Sequence, residues 1–109
     1  MDAAVSDYWT PAHDAVEHDD AETLARLLAE GADPNEVFSD MTLLTHAIDA
    51  EGDGALQARQ PLTVHLTAVL LAFGADPQLA APDGETPMDV AEHYGHDLAV
   101  SLLKRHIDG

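Results

Sequence analysis

One four-residue string occurs twice in this chain, as Gly31-Ala32-Asp33-Pro34 and Gly74-Ala75-Asp76-Pro77. Each copy directly follows a leucine-rich amphipathic segment, with Leu27-Leu28 before the first and Leu70-Leu71 before the second. A second element recurs around them, as Thr10-Pro11-Ala12-His13-Asp14-Ala15, Thr42-Leu43-Leu44-Thr45-His46-Ala47 and Thr86-Pro87-Met88-Asp89-Val90-Ala91. Thr42 follows Thr10 by 32 residues, and Thr86 follows Thr42 by 44. Self-similarity of this kind implies units that cannot bury their apolar faces alone, so neighbours must stack.

Each unit reads as a pair of helices. Thr10, Thr42 and Thr86 stand where a hydroxyl can cap the free amides of a helix start. Pro11 and Pro87 follow at the first helical position, where a missing N–H costs nothing. The short inner helix breaks at Asp19-Asp20 in the first unit and at Gly95 in the third. Outer helices are expected at roughly 21–30, 62–73 and 97–106, with Leu24, Leu27 and Leu28, or Val100 and Leu103, at helical spacing. Gly31 and Gly74 supply a left-handed stop to the first two, and the Asp-Pro that follows begins a turn.

These residues together resemble the ankyrin repeat. The third copy is the fullest match, with Asp83-Gly84-Glu85-Thr86-Pro87 leading in and Ala91-Glu92-His93-Tyr94-Gly95-His96 closing the inner helix. The resemblance implies an all-α solenoid of three helix-turn-helix units with β-hairpin fingers. It covers about residues 8–107, and the units fall at about 8–39, 40–82 and 83–109 of one domain. The motif histidine survives only as His13, with Thr45 and Asp89 in its place later. The first hairpin is one residue short. The first spacing is near the ankyrin period and the second exceeds it, which places an insertion at about 51–60. Glu51-Gly52-Asp53-Gly54 is expected to turn, Ala55–Gln60 to favour helix, and Pro61 to restart the outer helix. Ser101, Lys104 and Arg105 suit a polar outer cap, while residues 1–7 are expected to form a capping helix or a frayed arm. The three units are expected to form either a complete minimal array or a fragment of a longer one.

Composition bounds what such a stack can bind. The chain of 109 residues carries 21 carboxylates against 4 Lys and Arg, a formal charge of -17, with 7 His. That balance argues against direct contact with a phosphate backbone or an anionic membrane. Cysteine is absent, which removes disulfides, thiolate metal sites and Cys nucleophiles. No run approaches a membrane span and no secretion signal is visible, so a cytoplasmic protein is expected. Asp and Glu are spread along the chain instead of gathered in a block. That pattern fits a generally acidic surface better than a nucleic-acid imitation.

No residue is assigned to catalysis, a cofactor or a metal. His93, His96 and Asp97 form the best local metal cluster, but they straddle a turn between helices and need not converge. His13 and Asp14 have no serine arranged as a triad, and Asp53-Gly54 is not a phosphate loop. His18, His65 and His106 read as solvent-facing. The family resemblance implies partner contacts at hairpin tips and the exposed side of inner helices. The candidates are Tyr8, Trp9, Phe38, Ser39, Met41, His46, Arg59 and Glu85, with Asp40 and Asp83 at the same tips. Aromatic and Met side chains suit interface centres, where they are enriched, and the aromatics bury large area at little entropy cost. Trp9 and Tyr8 equally suit a seal on the first unit. Hairpin tips are expected to add little to stability, and His46 is placed on the inner-helix surface. The function implied is a non-catalytic, monomeric protein-binding module that acts as adaptor, inhibitor or immunity-type neutraliser on a protein partner, one with a basic patch suiting the charge. The alternative is an acidic mimic of nucleic acid that occupies the basic site of a DNA- or RNA-binding protein.

Overall fold

The threonine caps form as the sequence demands. The computed structural model describes residues 9–108, and α1 (Pro11–Glu17) begins where Thr10 Oγ1 accepts the His13 amide at 3.2 Å. Helix α2 spans Ala21–Ala29, and its cap Asp20 accepts the Thr23 amide at 3.1 Å. Strands β1 (Val37–Phe38) and β2 (Met41–Thr42) pair antiparallel, with Val37 opposite Thr42 and Phe38 opposite Met41. Helix α3 (Leu43–Ala58) starts in a capping box between Thr42 and Thr45. Helix α4 is His65–Ala72, α5 is Pro87–His93 with a Thr86–Asp89 capping box, and α6 is Asp97–Asp108.

Two layers result. The inner helices α1, α3 and α5 pack in sequence, and the outer helices α2, α4 and α6 lie behind them. Val16, Leu24, Leu43, Leu44, Ile48, Leu66, Leu70, Ala91, Ala99 and Leu103 fill the space between the layers and are almost wholly buried. Each buried Leu or Ile contributes about 1.5–3 kcal/mol of transfer free energy. Gly31 and Gly74 take φ of 111° and 99°, the left-handed stop expected after α2 and α4. Asp33 and Asp76 then fold back on the chain, accepting the amides of Asn35 and Gln78 at 2.9 Å each. That bond explains why Asp precedes Pro in both copies. It satisfies an amide that the turn would otherwise leave to solvent.

Two expectations fail in the middle unit. Glu51-Gly52-Asp53-Gly54 does not turn, because α3 runs unbroken through it for 16 residues. Glycine there answers a packing demand. Tyr94, at the end of α5, lies so near Gly52 that a Cβ would come within 2.4 Å of its ring. The outer helix also begins later than expected, at His65 and not at residue 62, and Pro61 lies outside it. Residues 60–64 are spent returning from the lengthened α3. Its last turn is closed by Arg59 in the left-handed region, at φ 55°. The expected arm at residues 1–7 lies outside the described residues. Among the described residues, no helix is long and apolar enough to cross a membrane.

Candidate functional site

The first finger edge is built from aromatic rings. Trp9 precedes the Thr10 cap, and its indole lies over His46, with centroids 4.8 Å apart and planes at 24°. Phe38, the last residue of β1, tilts against both Trp9 and His13, at 6.1 and 6.0 Å. The hairpin that presents Phe38 turns through Ser39 and Asp40, both left-handed at φ 55° and 63°. Two successive positive φ values are the two-residue turn that matches the twist of paired strands. Trp9, Phe38 and Met41 remain half-buried, whereas Ser39 and Asp40 are exposed.

Below the rings sits a histidine pair. His13 Nδ1 lies 2.9 Å from His46 Nδ1, and both residues are buried. His13 Nε2 reaches the Glu36 carbonyl at 3.2 Å, while His46 Nε2 reaches Glu17 Oε1 at 2.9 Å. Thr10 Oγ1 donates to Glu36 Oε1 at 2.6 Å, tying the first cap to the second finger. Burial holds the His13 imidazole below the usual histidine value. The Glu36 carbonyl opposes that shift, and the neighbouring His46 adds to it. His46 is therefore not the surface position expected of it, being 1% exposed. It faces α1 across the unit boundary, and exposed positions of α3 belong instead to residues such as Asp49.

A notch separates the second and third fingers. Asp40 and Met41 line one wall, Thr45 and Asp49 of α3 the floor, and Ala81, Asp83 and Glu85 the other wall, with Val90 at the end. Its volume is about 160 Å³. Glu85 lies on the third finger, where its carbonyl accepts the Ala81 amide at 2.8 Å. Four carboxylates over a Met–Val–Ala surface suit the aliphatic stem and charged head of a Lys or Arg. Asp49 also accepts the Tyr94 hydroxyl at 2.8 Å, and burial raises that hydroxyl above the usual tyrosine value.

A larger groove, about 260 Å³, opens on the opposite flank of α3. It is walled by Glu17, Asp19, Glu51 and Gln60, with Val16 and Leu66 below. Glu51 lies in the segment expected to turn, and nothing in the sequence marks it as a cap. Its carboxylate is buried, accepting the Leu66 amide at 2.8 Å and the Thr67 hydroxyl at 2.7 Å. Helix α4 has no cap from its own Val64, so Glu51 caps it from another helix. No local pattern announces such a bond, because donor and acceptor are 15 residues apart.

The structure thus gathers Trp9 and Phe38 over His46, and sets Met41 and Glu85 around the notch. Ser39 is at the tip between them. Arg59 is apart from these, exposed at the end of α3, and Tyr8 lies outside the described residues. His96 does not pair with His93. It is buried, donates from Nε2 to the Thr63 carbonyl at 2.7 Å, and accepts the Ala99 amide at Nδ1. Among the described residues, no three His, Asp or Glu groups converge as metal ligands would.

Comparison with known proteins agrees with this architecture. The ankyrin repeat family model matches residues 7–37. A crystal structure of an ankyrin repeat domain from Acinetobacter baumannii aligns at 32% identity and a TM-score of 0.74, over 91% of this chain and 48% of that one. The human ASB11 ankyrin repeat domain aligns at 24% identity and a TM-score of 0.71, over 90% of this chain and 40% of that one, a likeness of fold alone. The chain spans about half the length, or less, of these solved structures. No curated protein matches it.

Proposed function

We propose that this chain, an ankyrin repeat protein, is a non-catalytic module that binds and regulates or neutralises a protein partner through its finger edge. Ankyrin repeats are generally protein–protein interaction modules. The observation that carries the reading is the edge itself: half-buried Trp9, Phe38 and Met41 next to a notch ringed by Asp40, Asp49, Asp83 and Glu85. Aromatic anchors supply desolvation energy, and surrounding charge supplies steering and register. A partner fitting both presents an apolar patch beside a Lys or Arg.

The test is affinity capture from the native host with wild-type protein and with Met41→Ala and Phe38→Ala, then titration of what is retained. Each substitution should weaken binding by about 1–3 kcal/mol. Met41→Ala should leave the melting temperature nearly unchanged. Phe38→Ala should lower it, since that ring packs on Trp9 and His13 and the tip is not energetically idle. A partner held equally by both variants places the interface elsewhere. The four carboxylates of the notch also favour one second reading, an acidic mimic seated on a nucleic-acid-binding protein. Salt separates the two, because affinity of a mimic falls steeply with added salt and that of an aromatic-anchored edge falls little.

A further inference from the structure

Two neutral imidazoles cannot make the hydrogen bonds found around His13 and His46. Each neutral ring carries one N–H. His13 Nε2 faces the Glu36 carbonyl, which only accepts, so that nitrogen holds a proton. His46 Nε2 faces the Glu17 carboxylate, so that nitrogen holds one as well. Both N–H groups are then spent, and two lone pairs would oppose each other at 2.9 Å in a buried site. The contact closes only with a third proton. Geometry favours that closure: the ring planes differ by 17° and the centroids are 5.1 Å apart. With the nitrogens at 2.9 Å, the rings meet edge to edge, as a linear N–H···N bond requires.

We propose that the protein binds one additional proton between His13 and His46, at the junction of its first two repeats. His46 is the imidazolium, donating from Nδ1 to His13 and from Nε2 to Glu17. The assignment follows from the surroundings. Glu17 supplies the opposite charge, which offsets the cost of burying a cation. The Trp9 indole covers His46 at 4.8 Å, within the range in which an aromatic face attracts a cation. His13 has no carboxylate on its ring, only the Glu36 carbonyl, and burial disfavours its charged form.

The other ionisable groups nearby are engaged elsewhere. On α1, Asp14 pairs with His18 at 3.3 Å. The Glu36 carboxylate accepts from Thr10, Asp49 of α3 accepts from Tyr94, and Asp89 of α5 closes its own capping box. His65 of α4 bonds Asp19 and lies 3.9 Å from Glu51. The shared proton therefore answers to Glu17.

Losing that proton sets lone pair against lone pair, so one ring must turn and the seat of Trp9 changes. The proton fixes the same edge that the proposed function uses. That consequence rests on the binding reading, but the proton site itself does not.

The experiment uses the free, nitrogen-15-labelled protein and follows its histidine ring nitrogens by long-range proton–nitrogen spectra between pH 5 and 9. At neutral pH, His46 should carry protons on both nitrogens and His13 on Nε2 alone. Loss of the extra proton should coincide with a change in emission from Trp9, the single tryptophan. Glu17→Gln, at a side chain 47% exposed and so tolerant of change, should move that transition to lower pH by about one unit or more. Two neutral rings at pH 7, or a transition unmoved by Glu17→Gln, would overturn the proposal. With no partner in the sample, either result leaves the binding reading to its own test.

Discussion

Gly52 on α3 and Tyr94 at the end of α5 are in direct contact, and a Cβ on Gly52 would lie 2.4 Å from Tyr94 Cγ. Cγ lies on the axis of the ring, so turning the ring about that axis does not relieve the contact. The Tyr94 hydroxyl is also held by Asp49. Glycine weakens a helix by up to about 1 kcal/mol relative to Ala, so its presence here reflects the close approach of a second helix. Gly54, two residues on, meets nothing within 4 Å.

The two glycines therefore predict opposite outcomes. Gly52→Ala should destabilise the fold by about 1–3 kcal/mol through overpacking. Gly54→Ala should stabilise it by about 0.5–1 kcal/mol through helix propensity. Urea melts of the two variants check this. Equal shifts of the same sign would show that Tyr94 yields freely.

The same pair shows where the sequence was legible. Thr10, Thr42 and Thr86 announced their helices because a cap bonds its own chain three residues on. Gly31 and Gly74 did so because a left-handed stop is a local event. Gly52 misled because the ring that requires it is 42 positions away, and the same dipeptides serve turns. His46 misled for a related reason. Its position suggested an exposed inner-helix face, whereas its contacts with Glu17 and His13 come from the preceding unit. Local chemistry was readable, and contacts across a unit boundary were not.

Glu51 gives a prediction of pH dependence. Burial raises its carboxyl above the usual value, against the Thr67 and Leu66 bonds that lower it. A carboxyl raised in the folded state stabilises below its unfolded value, and that contribution is lost as pH climbs through the folded value. Glu51→Gln keeps an acceptor for the Leu66 amide without a charge to bury. It should match or exceed wild-type stability at pH 7, with an advantage that shrinks toward pH 4.5. Glu51→Ala orphans a buried amide and should cost about 2–4 kcal/mol at every pH. Melting both variants at pH 4.5, 6 and 7.5 decides it, and a Gln variant as damaged as the Ala one would refute the account.

The Ser39–Asp40 turn stores strain that a better turn sequence relieves. Both residues are left-handed, a region that costs most side chains about 1–2 kcal/mol and that Asn and Gly enter easily. Ser39→Asn and Asp40→Gly together should raise stability by about 0.5–1 kcal/mol, visible as a higher urea midpoint at unchanged slope. A lower midpoint would mean that the Ser39 hydroxyl or the Asp40 carboxylate holds the tip.

Salt should stabilise this protein. With 21 carboxylates against 4 Lys and Arg, repulsion acts across the whole surface. Among the described residues, one Lys or Arg pairs with a carboxylate, Arg26 with Glu22 at 3.3 Å, and both side chains are exposed. Exposed pairs contribute little, so screening removes more repulsion than attraction. Raising sodium chloride from about 0.02 to 0.5 M at pH 7 should lift the melting temperature by about 4–8 °C for each kcal/mol recovered. Burial of His13 bends the pH profile as well. His13 is lowered from 6.5, so the unfolded chain binds more protons just below that value and stability falls as pH drops through it. That works against net charge alone, which favours pH 6 over pH 8. A melt series at pH 5.5, 7 and 8.5 in both salts tests the balance. A melting temperature that falls with salt would show that the Glu17–His46 pair and its like outweigh the repulsion.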